Sequence, residues 1–295
     1  MRAADSRVDA GRASLAVGMV SGVSTVTSAR ATNPLKLLTP RTRGKSVWAY
    51  SSSFGGGLVA GDEVRLELDI EAGARCFLGT QASTKVYRNP ALRPCSQQTH
   101  AKLGPASLLV FSPDPVQPFA GSSYQQRQEF HLAADASLML LDWFSSGRTA
   151  RGERWAFTRF QSRNAVYLRS DPREEAQAEQ PAEQSASELV FLDSLRLSPD
   201  DGPLAAPHRT GRFNCFATLL LIGPAVRSLS ANILDEIKQQ PVCRQASLLC
   251  SASPVGDGVV LRLAGESVEA VGRELHRHLA PLSAQLGDDP WTRKW

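Results

Sequence analysis

The chain has 295 residues, of which 42% are hydrophobic, 21% charged and 7% aromatic, values close to those of ordinary globular proteins. The formal net charge is only +4, and the basic residues are neither closely clustered nor interleaved with aromatic residues, which excludes a basic nucleic-acid stripe. No apolar run reaches the roughly 18 residues that a membrane span requires, so the sequence predicts a soluble, folded protein without a nucleic-acid or membrane partner.

The positive charge is concentrated at the N-terminus. Residues 1–45 carry eight Lys or Arg residues and two Asp residues, a balance of +6, so the remaining 250 residues sum to −2. This asymmetry indicates a basic, partly irregular N-terminal segment over residues 1–45, followed by a single domain over residues 46–295.

The five cysteines are scattered along the chain and odd in number. No pair has the C-x-x-C spacing of a zinc site. This usage is typical of reduced thiols in a reducing compartment, so we expect a cytoplasmic protein.

Residues 55–143 have the pattern of short strands separated by turns. Residues 64–70 (VRLELDI) alternate strictly between apolar and polar, as in a strand with one buried face. Gly73, Gly104 and Asp135 lie 31 residues apart, each in a turn of small residues before an apolar strand. A fixed period without helical patterning predicts stacked rungs. The fold is therefore expected to be mainly β, an elongated stacked-sheet or β-solenoid-like body.

Two further patterns complete the predicted architecture. Residues 171–188 hold six acidic residues, one arginine and almost no large apolar side chain, which predicts a disordered acidic insertion between two strands.

Apolar residues recur at helical spacing over residues 226–237 and again over residues 268–279. These repeats predict two helices near the C-terminus.

The motifs of common enzymes are absent or incomplete. Gly44-Lys45-Ser46 matches the last three residues of the phosphate-binding loop motif, but Thr39 occupies the position of the first glycine that the motif requires. The sequence contains no G-x-S-x-G elbow and no H-E-x-x-H pair. We therefore expect a protein that is not an enzyme.

The five histidines do not form a metal-binding pattern. His276 and His278 are two residues apart on a predicted helix and point to different faces, so they are not expected to hold one ion together. The remaining histidines, His100, His131 and His208, are isolated in the sequence.

Two segments next to the clearest strand stand out: residues 54–62 (FGGGLVAGD) and residues 80–88 (TQASTKVYR). Asp62 and Thr84 are expected at the ends of adjacent hairpin arms, where their oxygens would form a polar patch. The simpler interpretation is turn chemistry, in which Asp62 bonds to its own backbone.

In their order and spacing, GGGLVAGD and TQASTKVYR are similar to the signature of the UreD family of urease accessory proteins, also called UreH. The similarity continues through residues 138–148, residues 212–219 and the tail at residues 289–294, and it covers most of residues 50–295. Two short pieces, GERW and NCFAT, resemble eukaryotic members more than bacterial ones.

The resemblance implies a non-catalytic scaffold for inserting nickel into the urease active site. Members of the family bind the urease apoprotein on one side and the accessory protein UreF on the other. UreF recruits the GTPase UreG, so GTP hydrolysis would be supplied by a partner. No tightly bound cofactor is implied, and Ni²⁺ would pass transiently through an internal, water-filled passage.

The resemblance also implies roles for individual residues. A passage that releases its ion needs oxygen ligands rather than a thiolate cluster, and the matching positions are Asp62, Thr84 and Asp142. The positions that would shape and brace the loop are Gly55, Gly56, Gly57, Gly61, Lys85 and Tyr87.

The C-terminal tail carries residue types that are enriched at interfaces. We expect Trp291, Arg293 and Lys294 to contact a partner, although a frayed terminus would fit the same residues.

Two other functions remain open at this stage. A carbohydrate-active or carbohydrate-binding β-stack protein would need paired carboxylates about 5 to 10 Å apart and exposed aromatic residues. The chain is poor in aromatic residues and has no obvious carboxylate pair. A plain interaction module would instead expose an apolar patch with no polar passage beneath it.

Overall fold

A computed structural model describes residues 11–42, 44–91, 93–169, 187–241 and 243–292. Two β-sheets lie face to face, and helices cover the outer face of the second sheet. None of the helices in these ranges is long and apolar enough to cross a membrane.

The first sheet has seven strands. Its core strands pair in parallel, and antiparallel strands close its two edges. The strands are β1 (Gly11–Val20), β2 (Val23–Ala31), β6 (Glu63–Ile70), β9 (Cys95–Leu103), β12 (Ser123–Leu132), β14 (Arg159–Arg169) and β15 (Ser187–Leu197). Their spatial order is β15-β14-β12-β9-β6-β1-β2.

The second sheet has eleven strands. Eight of them are β3 (Leu35–Leu38), β4 (Val47–Ser53), β7 (Arg75–Thr80), β10 (Leu108–Ser112), β13 (Ser137–Ser145), β16 (Cys215–Ile222), β17 (Leu248–Val255) and β18 (Gly258–Gly265). These eight follow the order β17-β18-β16-β13-β10-β7-β4-β3. The short strands β5 (Gly57–Leu58), β8 (Thr84–Val86) and β11 (Val116–Pro118) extend one end of this sheet.

The chain alternates between the two sheets, as a β-solenoid does. Strands β6, β9 and β12 lie in the first sheet, and each is followed by a strand of the second sheet, β7, β10 or β13. The predicted turn residues Gly73, Gly104 and Asp135 join these pairs. The turns also bond to one another: the amide of Gly73 donates to Pro105 O at 2.8 Å, and that of Ala106 donates to Asp135 Oδ1 at 3.0 Å. The predicted β-solenoid-like stack is confirmed.

The N-terminal segment is more regular than the sequence suggested. Strands β1, β2 and β3 all lie within residues 11–38, so this part of the chain belongs to the same two-sheet body. Ala13, Leu15 and Val17 alternate inward from β1 and are buried between the sheets. The pattern is weak in the sequence because the residues around them are small. Residues 1–10 lie outside the described ranges.

Residues 171–186 of the predicted acidic insertion lie outside the described ranges. Its last two residues, Ser187 and Glu188, already belong to β15. Strands β14 and β15 pair antiparallel on either side of it, as expected for the arms of a hairpin.

Both predicted helices are present. They are α1 (Arg227–Gln239) and α2 (Val268–Leu279), and a short α3 (Ser283–Leu286) follows. The Ser267 side chain accepts a hydrogen bond from the amide of Ala270 and caps α2, whereas Pro241 follows the end of α1. Together with the outer face of the second sheet the helices enclose an apolar cluster that includes Trp48, Phe77 and Trp143.

Candidate functional site: a polar layer between the sheets

A layer of polar side chains divides the space between the two sheets. On one side lies an apolar cluster that includes Leu68, Phe130 and Leu140, and on the other a cluster that includes Phe144 and Phe160. The polar residues occupy the inward positions between these clusters. The first sheet contributes Gln97, Thr99, Gln126, Gln128, Ser162, Asn164 and Asp193, and the second sheet contributes Ser51, Thr80, Asp142, Thr218 and Arg262.

The strand register aligns the polar residues of the first sheet into two rows. One row runs from Gln97 through Gln126 to Ser162. The other runs from Thr99 through Gln128 and Asn164 to Asp193. Because stacked rungs place equivalent positions at the same level, the rows cross the sheet perpendicular to its strands.

The second sheet carries its polar residues at the same level in two groups. Ser51 and Thr80 are paired on adjacent strands at one end of the sheet. At the other end, Asp142 pairs with Thr218, which pairs with Arg262. At each end of the polar layer, polar side chains therefore come from both sheets.

The Asp142 carboxylate joins the two sheets. Ser162 Oγ and Asn164 Nδ2 donate to Asp142 Oδ2 at 2.6 and 2.7 Å, and Gln126 Nε2 donates to Asp142 Oδ1 at 3.0 Å. Burial raises the pKa of Asp142, and these three hydrogen bonds oppose the rise. Within the described part of the chain, no Lys, Arg or His forms an ion pair with this carboxylate.

Several buried polar atoms of the layer lack a protein partner. Thr99 Oγ1, Gln128 Oε1 and Asn164 Oδ1 make no hydrogen bond to any described residue. An unpaired buried polar group is costly, and such groups usually bind ordered water. The layer is therefore chemically suited to hold water or a hydrated ion.

The layer ends in a cavity at each side of the sandwich. The first cavity has a volume of about 80 Å³, and its lining includes Ser51, Thr80, Thr84 and Gln97. The second has a volume of about 380 Å³, and Asp142, Asp193, Thr218 and Arg262 are among its lining residues. Arg262 Nη2 bonds to Asp193 Oδ1 at 3.0 Å across this opening and links the two sheets.

The three residues predicted to line a passage occupy different places. Thr84 lines the first cavity and Asp142 lines the second. Asp62 is absent from both linings: its Oδ2 accepts a hydrogen bond from the amide of Val59 at 2.8 Å and closes a turn before β6. The geometry of Asp62 thus matches the turn chemistry that was the simpler interpretation.

Close backbone contacts shape the glycine-rich loop. Gly57 has extended backbone, but a Cβ there would lie 2.4 Å from Lys85 O, so only glycine allows the pairing of β5 with β8. The Tyr87 hydroxyl donates to Gly55 O at 3.5 Å, whereas the Lys85 side chain is exposed. Within this loop, φ lies in the left-handed region at Gly55 (79°), Gly56 (71°) and Gly61 (85°).

The C-terminal Trp291 is buried within its own chain. Its ring lies edge-on to Phe77 with centroids 5.6 Å apart, and its Nε1 donates to Ser112 Oγ at 3.0 Å. The indole therefore anchors the tail to the second sheet and is not exposed for a partner. Arg293 and Lys294 lie outside the described residues.

The sequence reasoning missed most of the polar layer. A signal was present, since Gln97 and Gln126 interrupt the apolar alternation at inward positions 29 residues apart. His100 and His131, isolated in the sequence, are also neighbours in space with ring centroids 5.0 Å apart. They meet on the outer face of the first sheet because β9 pairs with β12.

The cysteines contribute no thiolate to the interior. Cys76, Cys95 and Cys215 are buried free cysteines, and burial raises the pKa of each thiol to about 12. Thiols in this state are weak metal ligands at neutral pH. Any ion in the polar layer would therefore meet oxygen and amide groups.

Comparison with known proteins identifies the class of this chain. Residues 9–295 match the family model described as UreD urease accessory protein. A protein named urease accessory protein UreD from Sorangium cellulosum is 45% identical over 287 residues, which cover 97% of this chain and 85% of the relative. The chain is thus a urease accessory protein.

Other relatives agree with that class. A protein named urease accessory protein UreD from an Anaeromyxobacter species is 42% identical over 293 residues, or 99% of this chain and 90% of the relative. Urease accessory protein D of Arabidopsis thaliana is 32% identical over 305 residues, or 94% of this chain and 98% of the relative. The chain belongs to the UreD family, as its signature segments indicated. Over its whole length it shares more identity with these two bacterial relatives than with the plant protein, despite the eukaryotic character of two short pieces.

Proposed function

We propose that this chain is a non-catalytic scaffold required for inserting nickel into urease, and that Ni²⁺ passes through the polar layer between its sheets. Membership of the UreD family supports the urease role. The observation that carries the route is the alignment of polar residues across both sheets, with a cavity at each end. The carbohydrate alternative is not retained because the family match assigns the chain elsewhere.

The donor groups of the layer suit an ion that must keep moving. Amide, hydroxyl and carboxylate oxygens hold a hydrated divalent ion weakly, whereas a thiolate cluster would retain nickel. Asp142 offers a carboxyl group, and Gln126, Ser162 and Asn164 already orient it. The orphaned oxygens of Thr99 and Gln128 would replace part of the hydration shell.

The two cavities give the proposed route an entrance and an exit. The urease apoprotein would bind over one opening, and UreF over the other would recruit the GTPase UreG. UreG would then supply GTP hydrolysis from outside this chain. Nickel is cargo in this scheme, and the chain needs no tightly bound cofactor.

The role is tested by co-expressing urease with its accessory proteins in the presence and absence of this chain. We expect urease purified without the chain to contain little nickel and to be inactive, and we expect the complete set to co-purify with this chain. Full nickel content in its absence would contradict the proposal, as would failure of the chain to associate with urease or UreF.

A further inference from the structure

A second cluster of ionisable groups lies on the other side of the second sheet, between α1 and α2. Glu236 comes from α1, whereas Glu274, Arg277 and His278 share one face of α2 because they are three and four residues apart. Among the described His, Cys, Asp and Glu residues, one set of three brings its ligand atoms within 4.8 Å of one another, and it is Glu236, Glu274 and His278.

One nitrogen of Arg277 lies at the centre of this set. Arg277 Nη2 is 2.6 Å from Glu236 Oε1, 2.6 Å from Glu274 Oε1 and 3.1 Å from His278 Nε2. Two carboxylate oxygens and one imidazole nitrogen thus converge on a nitrogen that carries two hydrogens. The arrangement is that of two carboxylates and one imidazole around a cation.

The imidazole of His278 is buried and aimed into the cluster. Its side chain is 2% exposed, and its Nε2 lies 3.2 Å from Glu274 Oε1. His278 Nδ1 lies 3.8 Å from Glu236 Oε2, beyond hydrogen-bonding range, and makes no hydrogen bond to the described residues. Both ring nitrogens therefore face carboxylates of the cluster.

We propose that Glu236, Glu274 and His278 form a binding site for a divalent transition-metal ion, and that the Arg277 guanidinium closes the site until such an ion displaces it. This inference is independent of the proposed role in urease maturation and of the polar layer. One nitrogen and two carboxylate ligands suit Zn²⁺ or Ni²⁺ better than Mg²⁺, which prefers an all-oxygen shell.

The surroundings allow the exchange. The cluster borders a cleft of about 880 Å³ whose lining includes Glu236, Glu274, Arg277 and Cys250. The Arg277 side chain is already 46% exposed, so it has space to move aside while water completes the shell of the ion. Burial raises the pKa of the Cys250 thiol to about 11, so it does not compete as a thiolate.

The test is a titration of the purified full-length chain with Zn²⁺ against a chromogenic chelator, with Mg²⁺ as the ion that should not bind. We expect one equivalent of Zn²⁺ to bind, and His278→Ala and Glu274→Gln each to weaken binding about tenfold or more. Arg277→Met should tighten it about tenfold, because no positive charge remains to be displaced. His276→Ala is the matched control, since that neighbouring ring pairs with Asp289 instead.

An ion-pair cluster without a metal role gives a different result. It predicts that Arg277→Met lowers thermal stability without any gain in Zn²⁺ affinity. That outcome, or Zn²⁺ binding that Glu274→Gln and His278→Ala leave unchanged, would overturn the proposal. If His278→Ala does not fold, Glu236→Gln gives the same test, because the Glu236 side chain is partly exposed. We expect about tenfold weaker Zn²⁺ binding to this variant. Unchanged Zn²⁺ binding would contradict the site.

Discussion

Asp142 shows how one buried carboxyl group links both sheets. It receives hydrogen bonds from Gln126, Ser162 and Asn164, which belong to two different strands of the opposite sheet. Desolvation still outweighs these bonds and leaves the pKa above its ordinary value. The hydrogen bonds that orient the carboxylate therefore do not fully offset the free-energy cost of burying its charge.

The raised pKa predicts how stability depends on pH. A carboxyl whose pKa is higher in the folded state than in the unfolded state contributes stability at low pH, and this contribution is lost as pH rises through the folded-state value. We therefore expect the free energy of unfolding of the native chain, relative to Asp142→Asn, to decrease as pH rises from about 4 towards 8. Urea unfolding of both proteins across this range measures the difference. A difference that stays constant, or grows with pH, would contradict the assignment.

Asp62 provides a second prediction at a single residue. Its carboxylate closes a turn outside both cavities, but the family resemblance implies a role in nickel transfer. On that basis we expect Asp62→Ala to lower urease activation while the accessory complex still assembles, as judged by pull-down and nickel content. Asp62→Asn is the matched variant, because its side-chain oxygen can still accept from the Val59 amide while the charge is lost. Normal urease activation with Asp62→Asn would show that Asp62 acts only through its turn. Loss of complex assembly with Asp62→Ala would show that its role is structural.

At the scale of elements, the turns between rungs hold the stack in register. Gly104 is the tightest of the three, since its amide donates to Ile70 O at 2.7 Å and a Cβ would lie 2.8 Å from Ala72 N. We expect Gly104→Ala to lower the free energy of unfolding by about 1–3 kcal/mol because backbone atoms must move apart.

The control for this change is a glycine with room for a methyl group. In α2, a Cβ on Gly272 would meet Trp143 at an ordinary contact distance of 3.7 Å. Gly272→Ala should stabilise the chain by up to about 1 kcal/mol, because alanine favours a helix. Chemical denaturation compares the two variants. Equal effects would show that the close approach at Gly104 is not what holds the turn.

The elements that the sequence predicted well are those with a complete local pattern. Strand β6 and both long helices carry strict apolar periodicity. The regular spacing of Gly73, Gly104 and Asp135 predicted the stacked rungs. Strand β1 was missed because its inward residues, Ala13, Leu15 and Val17, are modest in size and stand among other small residues. A local pattern reveals a buried face only where its side chains contrast with their neighbours.

At the scale of the whole molecule, the candidate site depends on which strands are neighbours. Gln97, Gln126 and Ser162 are far apart in sequence, and each looks like an isolated polar residue in its own strand. They form a row only because β9, β12 and β14 pair in parallel and in register. Pairing of this kind is a long-range property. Thr84 and Asp142 could therefore be proposed through family resemblance, whereas the layer between them could not be predicted.

The whole molecule is therefore a three-layer body with two chemically distinct interiors. The space between the second sheet and the helices is apolar and includes the buried Trp291. The space between the sheets is divided by polar residues and opens at both sides. A scaffold that transfers a hydrated ion would need both features: a rigid apolar frame and a polar route through it.

The most direct test of this route replaces Gln126 with leucine, which has a similar size but removes the amide at the centre of the layer. The outward neighbour Gln125→Leu is the matched control on the same strand. Each variant is co-expressed with urease and the other accessory proteins, and the nickel content of purified urease is measured by mass spectrometry beside a pull-down of the complex. We expect Gln126→Leu to assemble normally yet to leave urease largely without nickel, whereas Gln125→Leu should load it fully. Full nickel content with Gln126→Leu in an intact complex would contradict the proposed route.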